Sequence, residues 1–261
     1  MNRKDELIFR ALTRHSFPTP ASAVPLLQSF VEAGDPFTPT HYGSHEPVHT
    51  PFSPTDLAAP AQMLSDPPRE LLLKRSRPSL LANLCWMVNR ARPWPWTIRF
   101  GPPWTHGKAC ETSRLANFLI QVCCGFSPVF AACATFEDWS LKHTIRDPET
   151  NEDRGMRGMI LNPGEGLPGV YWLTFFGAEL VGFFGRKQLK AMRAHLTIDC
   201  GSSGIGIMPY ESPTEGTSAW RRELEAGIVQ ALGTEYFFDL AQASRKRPRR
   251  RTQIPRATDH R

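Results

Sequence analysis

Residues 170–177, Val-Tyr-Trp-Leu-Thr-Phe-Phe-Gly, constrain this chain more than any other stretch. Successive side chains of an extended backbone point to opposite faces. Tyr171, Leu173 and Phe175 therefore lie on one side, and Val170, Trp172 and Phe176 on the other. Both faces are apolar, so the strand has to be covered on both sides and belongs well inside a sheet. The flanks agree. Gly164-Glu165-Gly166-Leu167-Pro168-Gly169 turns the chain into the strand. Beyond it a helix begins near 178, with Leu180, Phe183 and Phe184 inward and Gly185 as a break.

Other elements follow from periodicity. Leu115, Phe118, Leu119 and Val122 recur at i, i+3, i+4 and i+7, which predicts a helix over 112–124. Thr112 or Ser113 can cap it and Gly125 can end it. Residues 96–100 and 129–135 read as strands, 137–143 as a helical turn, and 70–90 as an apolar stretch of ambiguous type. His195–Asp199 and Gly204–Met208 bracket Gly201-Ser202-Ser203, a hairpin signal. The last helix spans 218–232, with Trp220, Leu224, Ile228 and Ala231 on its inner face and Arg221, Arg222, Glu223 and Glu225 toward water. Helices packed on an antiparallel or mixed sheet make this an α+β fold.

The ends have a different character. Eleven prolines fall within 1–68, with poor apolar periodicity; only 4–15 and 22–32 could make short helices, so this part is expected to be a largely flexible arm. Residues 69–240 then form the folded domain. Residues 241–261 hold eight of the 31 basic groups and one of the 25 acids, so the tail is +7 and the preceding 240 residues are −1. A disordered basic tail is expected there, able to make weak polyanion contacts through Arg245–Arg251. No apolar run reaches the ~18 residues needed to cross a membrane. The charged N-terminal stretch does not resemble an export signal. The expected setting is the cytoplasm, with the six cysteines reduced.

No catalytic motif emerges, and no enzyme activity, cofactor or metal is expected. His41, His45 and His49 are spaced by four, but Gly43 and Pro47 interrupt any helix that would align them. No cysteine pair has C-x-x-C spacing. Gly201–Gly206 matches neither a phosphate loop nor a nucleophile elbow. A hydrolase built on His106, His143 or His195 is the enzyme alternative, and a polyanion binder acting through the tail is another. For a protein partner, the candidate contacts are the acids Asp138, Asp147, Glu149, Glu152 and Asp153, with Trp94 and Trp104 as aromatic anchors. An exposed sheet edge could support a homodimer.

One segment carries a family resemblance. Leu167, Pro168, Gly169, Tyr171, Trp172, Phe176 and Gly177, followed by Leu180-Val181, Gly185 and Leu189, resemble the LPGxYWLxxFG stretch of bacterial immunity proteins, especially the type VI immunity family. The match covers about 25–30 residues and is loosely compatible with 69–240. The resemblance implies an α+β protein that binds a cognate protein toxin stoichiometrically and blocks it.

Overall fold

The computed structural model describes residues 3–86, 94–102, 104, 112–146, 150, 153–156 and 166–240. Its sheet is centred on β1 (Leu7–Thr13), from the segment expected to be an arm. Leu7, Phe9 and Ala11 fill one face and Ile8 and Leu12 the other, all buried. A proline-rich α1 (Pro20–Glu32) follows, with proline in its first turn, where the missing N–H costs no bond. Next come β2 (His41–Gly43), β3 (Thr50–Pro51) and α2 (Ala58–Ser65). The flexible-arm reading of 1–68 is therefore corrected for the described residues. The prolines sit at a helix start, within α1 and α2, at the end of β3 and in connections, while many of the apolar residues between them join the core.

Of the ambiguous stretch at 70–90, the described residues to 86 form a hairpin, β4 (Glu70–Ser76) and β5 (Ser79–Cys85). Then come β6 (Trp94–Phe100), α3 (Thr112–Phe126), β7 (Phe130–Thr135) and α4 (Phe136–His143). A small separate ribbon pairs β8 (Thr144–Arg146) with β9 (Asp153–Met156). The chain continues through β10 (Leu173–Gly177), α5 (Ala178–Phe184), α6 (Arg186–Lys190), β11 (Leu196–Asp199), β12 (Gly204–Met208) and α7 (Ala219–Leu232).

Ten strands form one antiparallel sheet in the order β11-β12-β10-β7-β1-β6-β5-β4-β2-β3. Helices α1, α2 and α3 cover one face, where Leu27, Phe30, Leu64 and Phe118 meet Phe9, Leu73, Ala82 and Ile98. Helices α4, α5, α6 and α7 lie on the opposite face at the β7-β10-β12 end, over Phe130, Phe176, Ile205 and Ile207. β10 is buried throughout its length, as a strand apolar on both faces requires. This is the expected α+β class, and its sheet is antiparallel.

Helix α7 turns a different face inward from the one expected. Its buried stripe is Glu225, Ile228 and Leu232, and Trp220 is 52% exposed, with the Arg221 guanidinium stacked 3.1 Å from its ring centre. The expectation of reduced cysteines is also corrected in part. Cys85, Cys123 and Cys133 are free, but Cys124 at the end of α3 is disulfide-bonded to Cys200 after β11, with Cα atoms 5.9 Å apart. Among the described residues, no helix is long and apolar enough to cross a membrane.

Candidate functional site

The LPGVYW segment reaches β10 as an irregular, largely interior path. Leu167 bridges to Phe237, with its N–H donating to Tyr236 O at 2.8 Å. The Tyr171 hydroxyl donates to Pro168 O at 3.0 Å and also meets His143 Nε2, and its ring lies 4.2 Å from Trp139. Trp172 Nε1–H donates to Glu211 O at 3.0 Å. Phe176 packs edge-on between Phe130 and Phe184. Gly169 takes φ +145°, and Gly177 lies so close to Pro128 that a Cβ there would come within 1.9 Å of its carbonyl oxygen. Leu167, Pro168, Tyr171, Trp172, Phe176 and Gly177 are all buried and Gly169 half-buried. The segment frames the fold and offers little side-chain surface to a partner.

Behind it lies a buried ionic cluster. The Lys142 ammonium on α4 donates to Asp138 Oδ2 at 2.8 Å and to Val170 O at 3.1 Å, and pairs with Glu225 Oε2 of α7 at 2.7 Å. These acceptors match the three N–H bonds of an ammonium. Its Nζ also sits 4.3 Å from the centre of the Tyr171 ring. Tyr210 donates to Glu225 Oε1 at 2.8 Å, while Asp138 Oδ1 is buried without a hydrogen-bond partner. Thr135 caps α4 by accepting from Asp138 N–H at 3.2 Å, which fixes the helix start beneath the cluster.

Two carboxylates thus share one ammonium away from water. Burial pushes the Glu225 carboxyl up to about 7, against the pull of Lys142, and the Asp138 charge adds to the rise. Burial raises Asp138 as well, again opposed by Lys142. A carboxyl with a raised folded-state pKa binds more protons folded than unfolded, so stability falls as pH rises through that window. For Glu225 the window runs from its ordinary 4.5 to about 7. The denaturant midpoint is expected to drop between these pH values and then level off. Glu225→Gln is expected to flatten this slope, and an unchanged slope in that variant would refute the assignment.

An open relief lies elsewhere. Over β4, β5 and β6 the face opposite α1–α3 has no helix above it among the described residues. Register aligns Leu72, Asn83 and Thr97 in one row, and Lys74, Leu81 and Arg99 in the next. With Ser44, His45, Glu46 and Glu70 these side chains, Lys74 excepted, line an open basin of about 420 Å³. Asn83 Nδ2 donates to Glu70 Oε1 at 3.3 Å, and Arg99 pairs with Glu6 at 3.0 Å. The basin carries both signs of charge over an apolar floor of Leu72 and Leu81.

Of the expected contact residues, Asp138 and Trp104 have described side chains, and both are buried. Asp138 is 1% exposed and committed to Lys142. Trp104 is buried against Phe37 and Phe100, its Nε1–H donating to Ser79 O at 2.8 Å. Both are corrected as exposed anchors, because each spends its polar atoms inside the fold. Trp94 opens β6 and Asp153 opens β9. Asp147, Glu149, Glu152, His106 and the run Arg245–Arg251 lie outside the described residues. His143 is buried and His195 is exposed next to β11. No group of three or more metal-ligating side chains gathers among the described residues.

The fold of the chain is shared with a type VI secretion protein. The Pseudomonas aeruginosa T6SS protein PA0821 superposes with a TM-score of 0.53 at 15% identity, over 87% of this chain and 72% of that one. At that identity the likeness is one of fold. No family model matches the chain, and no curated protein does.

Proposed function

We propose that the chain is an immunity protein that binds one bacterial antagonistic toxin stoichiometrically and blocks it, with no turnover of its own. The observation that carries the reading is the fold shared, over 87% of the chain, with a T6SS protein. The resemblance of the LPGVYW stretch to type VI immunity proteins supports it independently of that superposition. The toxin docks on the open face of β4–β6. There Glu46, Glu70 and Arg99 orient it by charge, and Leu72 and Leu81 supply apolar contact.

The test is capture and protection together. The tagged full-length chain, expressed in its own cells, is expected to retain a protein that kills a sensitive host when made alone and spares it when the chain is co-expressed. Asn83→Arg and Thr97→Arg put extra cations into the basin. Each is expected to weaken that complex by roughly 30-fold or more, the size of an interface hot spot, with the melting temperature nearly unchanged. Retention of no such protein, or protection at far below equimolar amounts, would sink the reading.

A further inference from the structure

The two edges of the sheet are not alike. At one end β3 is two residues long and finishes in Pro51, which blunts it against further pairing. At the other end β11 has neither proline nor lysine, and Leu196 is 40% exposed. The strand is held ready. Cys200 ties its end to α3 through Cys124, and Asp199 accepts from Arg186, from Lys190 at 3.3 Å and from Gly201 N–H at 3.0 Å.

Register decides which backbone groups are on offer. Cys200 N–H donates to Gly204 O at 2.9 Å, and Leu196 and Ile198 stand opposite Met208 and Gly206. Peptide groups alternate in direction along an antiparallel strand, so those of Thr197 and Asp199 turn away from β12. At the strand's start, His195 N–H turns back to Pro209 O at 3.2 Å, leaving its carbonyl for an outside donor. The residues at this edge read His195-Leu196-Thr197-Ile198-Asp199. Reversed, as an antiparallel neighbour presents them, they are Asp, Ile, Thr, Leu, His. The stretch is chemically self-complementary: aliphatic meets aliphatic, imidazole meets carboxylate, and threonine meets itself.

We infer that two copies of the chain pair through β11, antiparallel about a two-fold axis at Thr197, joining their sheets into one. Thr197 exchanges backbone hydrogen bonds with its counterpart, and Asp199 N–H reaches the His195 carbonyl of the second copy, about four bonds in all. On one face Leu196 stacks against Ile198 of the other copy. On the opposite face the His195 ring stands across from the other copy's Asp199 carboxylate, a cross-strand pair of the stabilising kind. Such an interface is isologous and closes as a dimer. Four strand residues make a small contact, so the dimer is a weak one.

Sedimentation of the full chain from low to high micromolar concentration is expected to move from 29.4 kDa toward twice that mass. Leu196→Lys, at a position already exposed in one copy, is expected to weaken the association at least tenfold while leaving the melting temperature in place. Thr197→Cys gives the positive signal. Residues directly opposite in a hydrogen-bonded pair have Cα atoms about 5.5 Å apart, within disulfide reach. Mild oxidation is expected to yield a covalent dimer whose linked peptides both contain position 197, with little from Ile198→Cys. A chain that stays monomeric throughout, or equal cross-linking at both positions, overturns the inference. So does a monomer whose Thr197→Pro variant loses toxin protection, which would assign the edge to a partner's strand. None of the dimer measurements needs a toxin, so they stand or fall apart from the immunity reading.

Discussion

Lys142→Met is expected to lower the unfolding free energy by about 3–5 kcal/mol, the usual cost of removing one member of a buried ion pair. Asp138 and Glu225 have side chains only 1% and 6% exposed, and Lys142 pairs with both. Without it, two carboxylates face each other out of water, and at least one has to take up a proton. At ~2–4 °C per kcal/mol for a domain of this size, the melting temperature is expected to fall by about 10 °C. Adding Asp138→Asn and Glu225→Gln to the same chain should restore much of the loss, since the cost lies in the stranded charges. Thermal melts of the single and triple variants check both steps. A loss under about 1 kcal/mol in the single variant would show that the cluster is hydrated and the ammonium dispensable.

Gly177→Ala carries the second large effect. The residue is the hinge between β10 and α5, and its N–H donates to Val129 O at 3.0 Å. A Cβ there would stand 1.9 Å from Pro128 O and 2.9 Å from Val129 O, both backbone atoms that cannot swing aside. Relief requires β7 and β10 to separate locally, so a loss of about 3 kcal/mol or more is expected. Gly182 is the control. It lies within α5, and a Cβ there meets nothing within 4 Å. Gly182→Ala is expected to stabilise by about 0.5–1 kcal/mol, the helix-propensity difference. Urea midpoints of the two variants should move in opposite directions, and a shared direction would refute the steric account.

These two positions also mark what could be read in advance and what could not. Gly177 stood in plain view, because an apolar strand followed by a helical stripe needs a sharp turn between them. The helices at 112–126 and 219–232, the strand at 130–135 and the hairpin at 196–208 were equally legible from periodicity and turn residues. The ionic cluster was not. Lys142 and Glu225 lie on different helices far apart in sequence, and each looks like a solvated surface charge on its own. The inward turn of Glu225 also explains why the face of α7 was misassigned, since a periodicity count scores a glutamate as outward. β1 was missed for a related reason. Its partners are 94–100 and 130–135, so nothing local marks Leu7–Thr13 as a strand, and the prolines that follow from Pro18 argue for disorder. The basin was invisible because Glu70, Asn83, Thr97 and Arg99 become neighbours only through the register of three strands.

The place of β1 between β6 and β7 has a consequence for how the chain is made. Leu7–Thr13 leaves the ribosome well before the two strands that flank it, which are complete only at Phe100 and Thr135. For that interval an apolar strand has both edges open, the condition under which nascent chains pair wrongly or recruit chaperones. Closure of the sheet therefore waits on the middle of the message, and the half containing β10 and β12 can join β7 before or after β1 arrives. Slow translation ahead of residue 135 would lengthen the vulnerable period, whereas a pause beyond it would find the central strand already enclosed.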